Sequence, residues 1–173
     1  MDVDVSPLGV HAGRPVTLRC GVDPGREKFG IALADGDRLV FSAILPLEEL
    51  GLASACIVGG DFRPLSERTA EGAPPEEPRA LGRVLLGNGT GGEPFRRRFE
   101  QDGVAYVVVD ERMTTLEARA LYWELHPPRG LRRLLPLSLL VPPRPLDDLA
   151  AWALLRRNNT DFCTGENDES HNS

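Results

Sequence analysis

The chain is organised around fourteen residues near its N-terminal end, Cys20-Gly21-Val22-Asp23-Pro24-Gly25-Arg26-Glu27-Lys28-Phe29-Gly30-Ile31-Ala32-Leu33. Their pattern predicts a β-hairpin, in which a buried strand ends at Asp23 and the return strand includes Phe29 to Leu33. Pro24 fixes φ, and Gly25 accepts the positive φ that a sharp turn needs. The hairpin would hold one carboxylate rigidly at a strand end. Asp23 is either the first ligand of a divalent-metal site or an acid that caps its own turn, and the local residues leave both interpretations open.

Length and composition indicate one globular domain. The chain has 173 residues, of which 41% are hydrophobic, and this is long enough for a proper core. No apolar run approaches the roughly 18 residues of a membrane helix, and the acidic N-terminus lacks the apolar segment of a signal peptide. Cys20, Cys56 and Cys163 are odd in number and have no metal-ligand spacing. They predict reduced thiols in a cytoplasmic protein with no membrane partner.

The net charge of −6 is concentrated at the two ends of the chain. Met1–Val10 contains two acids, and Asn159–Ser173 contains four acids and no Lys or Arg, so together they account for the whole net charge. The segment Pro94–Asn158 is basic, with eleven Arg against eight acids. Arginine suits bidentate contact with phosphate, so this segment is compatible with a nucleic-acid partner. A phosphate track could include Arg96, Arg97, Arg98, Arg129, Arg132, Arg133 and Arg144, although the Arg96–Arg98 triplet also fits a solvated helix face.

The order of predicted elements indicates an α/β fold. Antiparallel strands are predicted at Val16–Asp23, Lys28–Ala34 and Arg38–Leu45, with Asp35-Gly36-Asp37 as a hairpin turn. Then follow a short helix (Leu47–Val58), an irregular insertion (59–78), a strand (Arg83–Leu86), a helix (Glu93–Gln101), a strand (Val104–Val109), a helix from Thr114 to Pro127-Pro128, and a last helix (Asp147–Arg157). We expect a mixed five-stranded sheet, three strands antiparallel and two parallel, with helices on its faces. Residues 1–14 are expected to form a loose leader and 159–173 a disordered acidic tail.

Acidic residues stand at the ends of these elements: Asp23, Asp110, Glu111, Asp147 and Asp148. If the first and last strands are neighbours, their ends meet at the edge where α/β sheets bind ligands. Clustered carboxylates repel one another unless a hard cation neutralises them, and Mg²⁺ or Mn²⁺ suits such oxygen ligands. Two such ions support phosphodiester hydrolysis. These acids also have simpler interpretations. Asp147 could be the N-cap of the last helix, and Asp148 a charge that favours the helix dipole. Asp110 could form an Asx turn, and Glu111 could be a surface charge.

The glycine-rich segment Gly87–Gly92 offers a competing function. It fits the dinucleotide pattern G-x-G-x-x-G between a strand and a helix, with Asp110 about twenty residues further on. Against this, three antiparallel strands precede it, and too little chain follows for the second half of a dinucleotide fold. The alternative is a loop that lets a nucleic-acid backbone approach peptide N–H groups.

Three motifs together resemble the YqgF family, described as Holliday-junction-resolvase-like or pre-16S ribosomal RNA processing nucleases. The motifs are Gly21-Val22-Asp23-Pro24-Gly25 with Lys28-Phe29-Gly30-Ile31-Ala32, then Asp110-Glu111-Arg112-Met113-Thr114-Thr115-Leu116-Glu117-Ala118, then Leu146-Asp147-Asp148-Leu149-Ala150-Ala151. Asp110 to Ala118 is the most specific of the three. The loop Gly87-Asn88-Gly89-Thr90 is similar instead to the ribonuclease H-like domain of Tex-type RNA-binding proteins.

The resemblance implies a ribonuclease H-like domain over 15–158 and a Mg²⁺- or Mn²⁺-dependent endonuclease. Its substrate would be structured nucleic acid, either a ribosomal RNA precursor or branched DNA, cut to leave 5′-phosphate and 3′-hydroxyl ends. Asp23, Glu111 and Asp147 would be the catalytic metal ligands, with Asp110 and Asp148 as further candidates. Nucleic-acid contacts are expected from Gly25, Lys28, Asn88, Gly89, Thr90, Arg112 and Arg129. The alternatives are a non-catalytic nucleic-acid-binding module and a dinucleotide-binding enzyme, and the chain would act as a monomer or a homodimer.

Overall fold

A mixed β-sheet forms the centre of the computed structural model, which describes residues 17–110, 112, 114–136 and 139–158. The strands of this described part are β1 (Leu18–Asp23), β2 (Lys28–Asp35), β3 (Arg38–Pro46), β4 (Thr69–Gly72), β5 (Leu81–Gly87) and β6 (Tyr106–Val109). The α-helices are α1 (Leu50–Gly59), α2 (Gly92–Asp102), α3 (Thr114–Leu125) and α4 (Asp147–Arg157), and short 3-10 helices lie at Leu47–Glu49, Arg63–Arg68 and Gly130–Leu134. The predicted leader (1–14) and acidic tail (159–173) lie outside the described residues.

The sheet has the order β4-β3-β2-β1-β5-β6. Strands β1 to β4 pair in antiparallel fashion, and β5 pairs in parallel with both β1 and β6. This confirms an α/β fold with a mixed sheet. The predicted count of five strands is wrong, because β4 adds a sixth inside the segment 59–78 that was predicted to be irregular. The first and last strands are not neighbours either, since β5 lies between them.

The predicted N-terminal hairpin is present, and its register places Asp23 opposite Gly30. Gly36 adopts a positive φ of 58° in the turn between β2 and β3, as expected for an Asp-Gly hairpin. The reason given for Gly25 is wrong, because its φ is not in the left-handed region. A Cβ at Gly25 would instead overlap the carbonyl oxygen of Lys28. Close approach of the two arms of the turn therefore requires glycine there.

The two faces of the sheet carry separate cores. Helices α1 and α2 cover one face with a core rich in phenylalanine, where the Phe29 and Phe95 rings meet edge to face at 5.0 Å. Helices α3 and α4 cover the other face, where the strands present small residues such as Ala32 and Ala34. Small residues let α4 lie close on the sheet, and a Cβ at Gly21 would lie 2.5 Å from the carbonyl oxygen of Ala151.

Cys20 and Cys56 are buried free thiols, and burial raises the pKa of both; Cys163 lies outside the described residues. No helix in the described part of the chain has the length and apolar character needed to cross a membrane.

Candidate metal centre

Asp23 lies at the C-terminal end of β1, on the face that α4 covers. Side chains alternate along a strand, and Cys20 and Val22 belong to the core under α1 and α2. Gly21 and Asp23 therefore face α4. Asp23 is half-buried, because the strand end is covered on one side by the start of that helix.

Asp147 is the first residue of α4, and it meets the sheet directly beside Asp23. A Cβ at Gly30 would overlap the backbone carbonyl of Asp147, so this carbonyl rests on the glycine itself. Gly30 is the register partner of Asp23, and paired Cα atoms of antiparallel strands lie about 4.5–5.5 Å apart. The structure thus brings Asp23 and the backbone of Asp147 within one strand spacing. Leu146 is the N-cap of α4 and makes no side-chain cap hydrogen bond, so the capping interpretation of Asp147 is wrong.

Lys28 supplies a positive charge to this edge. Its Nζ lies 3.1 Å from Oδ2 of Asp147, with 44% of the Lys28 side chain and 24% of the Asp147 side chain exposed. Lys28 shares the α4 face with Gly30, two residues further along β2. Lys28, a residue predicted to contact nucleic acid, therefore pairs directly with Asp147, a predicted metal ligand.

Asp148 occupies a different environment from its neighbour. It is fully buried, its Oδ2 accepts a hydrogen bond from Ser42 Oγ at 2.7 Å, and its Oδ1 accepts one from Arg144 Nη1 at 2.7 Å. Both carboxylate oxygens are already engaged by protein donors. This arrangement favours a structural role for Asp148 over the metal-ligand role that was a further candidate.

Asp110, the other further candidate, follows the last residue of β6 in the manner of an Asx turn. Its Oδ1 accepts a hydrogen bond from the backbone N of Arg112 at 3.1 Å. Because β5 separates β1 from β6, Asp110 follows a strand about 10 Å from β1. The Arg112 side chain is 88% exposed, and its Nε lies 3.5 Å from Asp110 Oδ2. Glu111, the predicted third catalytic ligand, lies outside the described residues.

The glycine-rich loop lies against the turn that follows Asp23. Asn88 extends the β5–β6 pairing by donating its backbone N–H to Val109 O at 3.0 Å. A Cβ at Gly91 would lie 2.6 Å from the carbonyl oxygen of Gly25, so the absence of a side chain at Gly91 lets the loop and the turn touch. The predicted contact residues Asn88, Gly89 and Thr90 therefore border the turn after Asp23.

Among the side chains that the structure describes, the arginines of the predicted phosphate track are spread over separate parts of the molecule. Arg97 pairs with Glu93 and Arg98 with Asp102 on α2 itself, which matches a solvated helix face. Arg129 follows α3, which is about 18 Å long and begins near Asp110. Arg129 lines a separate cavity of about 360 Å³. Arg144 lies next to Asp148, where it is half-buried.

Sequence analysis assigned no role to Ser42 and Glu71, both of which contribute to this region. The available signal was Ser42 itself, a polar residue within the apolar run of β3. Glu71 gave no signal, because its strand was not predicted. Its Oε1 lies 2.5 Å from Arg144 Nη2 and 2.7 Å from His126 Nε2. Burial alone raises the pKa of Glu71, but the hydrogen bonds from His126 and Arg144 outweigh it and lower the pKa.

The donor chemistry of Asp23 and Asp147 fits a hard divalent cation, because both offer only carboxylate oxygens. Within the described residues, no three His, Cys, Asp or Glu side chains come together as a metal-binding group. Of the three predicted ligands, Asp23 and Asp147 lie at one sheet edge, since the Asp147 backbone rests on the register partner of Asp23. The sequence gives no significant match to any protein-family model or to any curated protein.

Proposed function

We propose that this protein is a Mg²⁺- or Mn²⁺-dependent endonuclease that acts on structured nucleic acid. The observation that carries the proposal is the contact of the Asp147 backbone with Gly30, the register partner of Asp23. Asp23 and Asp147 would hold the metal together with Glu111. When bound, divalent ions would activate water and neutralise charge on the scissile phosphate and its leaving oxygen.

The protein's own groups at this edge would bind and orient the substrate. Lys28 lies beside Asp147 and is 44% exposed, so its ammonium can turn from the carboxylate to a phosphate. Gly25 and Gly91 have no side chains, so the two touching loops add no side-chain bulk next to Asp23. The exposed Arg112 guanidinium could pair with a second phosphate.

A nucleic-acid-binding module, which would use the same sheet edge without cleavage, is the second candidate. A dinucleotide-binding enzyme is the third, because the glycine-rich loop joins β5 to α2 in a parallel β–α–β unit. The sheet topology argues against it. Strands β1 to β4 pair in antiparallel fashion and precede this loop, whereas a dinucleotide fold carries its glycine-rich turn in the first β–α–β unit.

The test compares Asp23→Asn and Asp147→Asn with the unmodified protein on structured RNA and on four-way DNA junctions. Each is incubated with Mg²⁺, Mn²⁺ or EDTA. We expect metal-dependent cutting that falls at least about 100-fold in both variants, because each removes a charged metal ligand. Asp35→Asn is the matched control, since Asp35 ends the other strand of the same hairpin and pairs with Arg38. It should cut at the unmodified rate.

Three results would count against the proposed nuclease or against its assigned site. Binding of RNA or DNA without cutting in either metal would favour the binding module. A rise in melting temperature with NAD, and no binding of RNA or DNA, would favour the dinucleotide enzyme. Cutting that persists in Asp23→Asn and Asp147→Asn would mean that the site lies elsewhere.

A further inference from the structure

Asp148 ties the first turn of α4 to the middle of the sheet. Its carboxylate is fully buried and accepts the Ser42 hydroxyl, which projects from β3. Ser42 is paired with Ala32 on β2 and with Glu71 on β4. Register partners share a face, so Ser42 and Glu71 both face α4. The chain around Asp148 therefore has two polar partners on the sheet, Ser42 and Glu71.

Arg144 binds the second of these partners, Glu71. Its guanidinium donates to both oxygens of Asp148, at 2.7 and 3.3 Å, and to Glu71 Oε1 at 2.5 Å. It also lies 5.6 Å from the centre of the Tyr122 ring. Arg144 and Asp148 are four residues apart, so the chain between them is held at both ends. We call Ser42, Glu71, Arg144 and Asp148 the α4 anchor.

Asp147 lies inside the anchored segment, one residue before Asp148. Its backbone rests on Gly30, so any sliding or rotation of this turn would displace it from Asp23. We propose that the α4 anchor positions Asp147 beside Asp23 and thereby sets the divalent-ion affinity of the site, while none of its four residues touches the ion. This inference rests on the proposed function. Ser42 is thus a positioning residue.

The other face of the molecule contains a matched control. There Ser54 Oγ donates to Asp102 Oδ2 at 2.5 Å, and Arg98, four residues before Asp102, also donates to that carboxylate at 2.6 Å. Ser54 is as buried as Ser42. Ser54→Ala therefore removes the same kind of serine–carboxylate hydrogen bond, but it does so between α1 and α2, on the opposite face from the site.

The experiment measures Mn²⁺ binding to the full chain by the loss of the free-ion EPR signal, at a temperature where circular dichroism shows each variant folded. We expect Ser42→Ala to bind Mn²⁺ about tenfold more weakly than the unmodified protein, as is typical for loss of a group that orients a metal ligand. Ser54→Ala should bind as the unmodified protein does, although both variants melt at lower temperature. Saturating Mn²⁺ should restore cleavage by Ser42→Ala, because the proposed metal ligands Asp23, Glu111 and Asp147 are unchanged in this variant.

Two outcomes separate the failure of this inference from the failure of the proposed function. If Asp147→Asn loses Mn²⁺ binding while Ser42→Ala and Ser54→Ala bind alike, the anchor does not set affinity, and the nuclease proposal stands. If the unmodified protein binds no Mn²⁺, the proposed function fails and the inference fails with it.

Discussion

Lys28 and Asp147 form an ion pair that a divalent cation would have to displace. The pair has one strongly exposed member, so it contributes little to folding, about 0–1 kcal/mol. Its importance is local, because the ammonium reduces the negative charge next to Asp23. Lys28 therefore has two opposing effects. Its ammonium competes with a metal ion for Asp147, and it favours binding of the substrate's phosphate.

Replacement of Lys28 by glutamine should separate these two effects. We expect Mn²⁺ to bind a few-fold more tightly, because an energy of up to about 1 kcal/mol no longer opposes it. Cleavage at saturating Mn²⁺ and limiting RNA should nevertheless become slower, because a phosphate contact is lost. Free-ion EPR and initial rates measure the two. Arg38→Gln breaks the ion pair at the opposite end of the hairpin and should change neither. Weaker Mn²⁺ binding in Lys28→Gln would contradict the proposed role.

At the scale of elements, the seating of α4 on the sheet depends on one glycine. Gly30→Ala places a Cβ into the backbone of Asp147, where nothing flexible can move aside. We expect urea unfolding to show a loss of roughly 1–3 kcal/mol, or more if α4 cannot shift. Gly59→Ala is the control, since its Cβ would meet nothing within 4 Å, and it should be neutral or stabilising by up to about 1 kcal/mol. Equal stability of the two variants would show that α4 is not seated as described.

The elements that the sequence predicted well are those with a local signal. The last helix was predicted with the observed bounds, Asp147–Arg157, and the N-terminal hairpin was predicted from its alternation and turn residues. Strand β4 was missed because Thr69-Ala70-Glu71-Gly72 has no apolar alternation. It becomes a strand because the edge of β3 offers hydrogen bonds to it. Such pairing depends on the partner strand and is not encoded in the sequence of the segment itself.

The candidate site was predictable in part for the same reason. That Asp23 and Asp147 approach one edge followed from their positions at element ends. The different surroundings of Asp147 and Asp148 did not, because adjacent helical residues point about 100° apart and only the packing of the helix decides which one faces the sheet. No single residue of the sequence predicts that Asp148 binds Ser42. The same holds for the position of β5 between β1 and β6.

At the scale of the whole molecule, Glu71 joins three distant parts of the chain. It lies on the edge strand β4, and it binds His126 just after α3 and Arg144 just before α4. Its side chain is only 16% exposed, so loss of its charge would weaken its hydrogen bonds with the half-buried Arg144 and with His126. The two helices that cover one face of the sheet therefore share a carboxylate on a strand that contributes only four residues.

This connection predicts a specific acid sensitivity. The pKa of Glu71 is lowered from its ordinary value of 4.5, so its contribution to stability is complete above that pH and is lost as the pH falls through the lower folded-state pKa. Glu71→Gln should lower the free energy of unfolding by about 1–2 kcal/mol at pH 7, and the difference from the unmodified protein should shrink below about pH 4.5. Urea unfolding between pH 3 and 7 measures both. Glu124→Gln breaks an exposed pair with Arg156 and should cost less than about 0.5 kcal/mol at pH 7. A Glu71→Gln difference that stays constant across this pH range would show that the Glu71 carboxylate does not hold the two helices to the sheet through its charge.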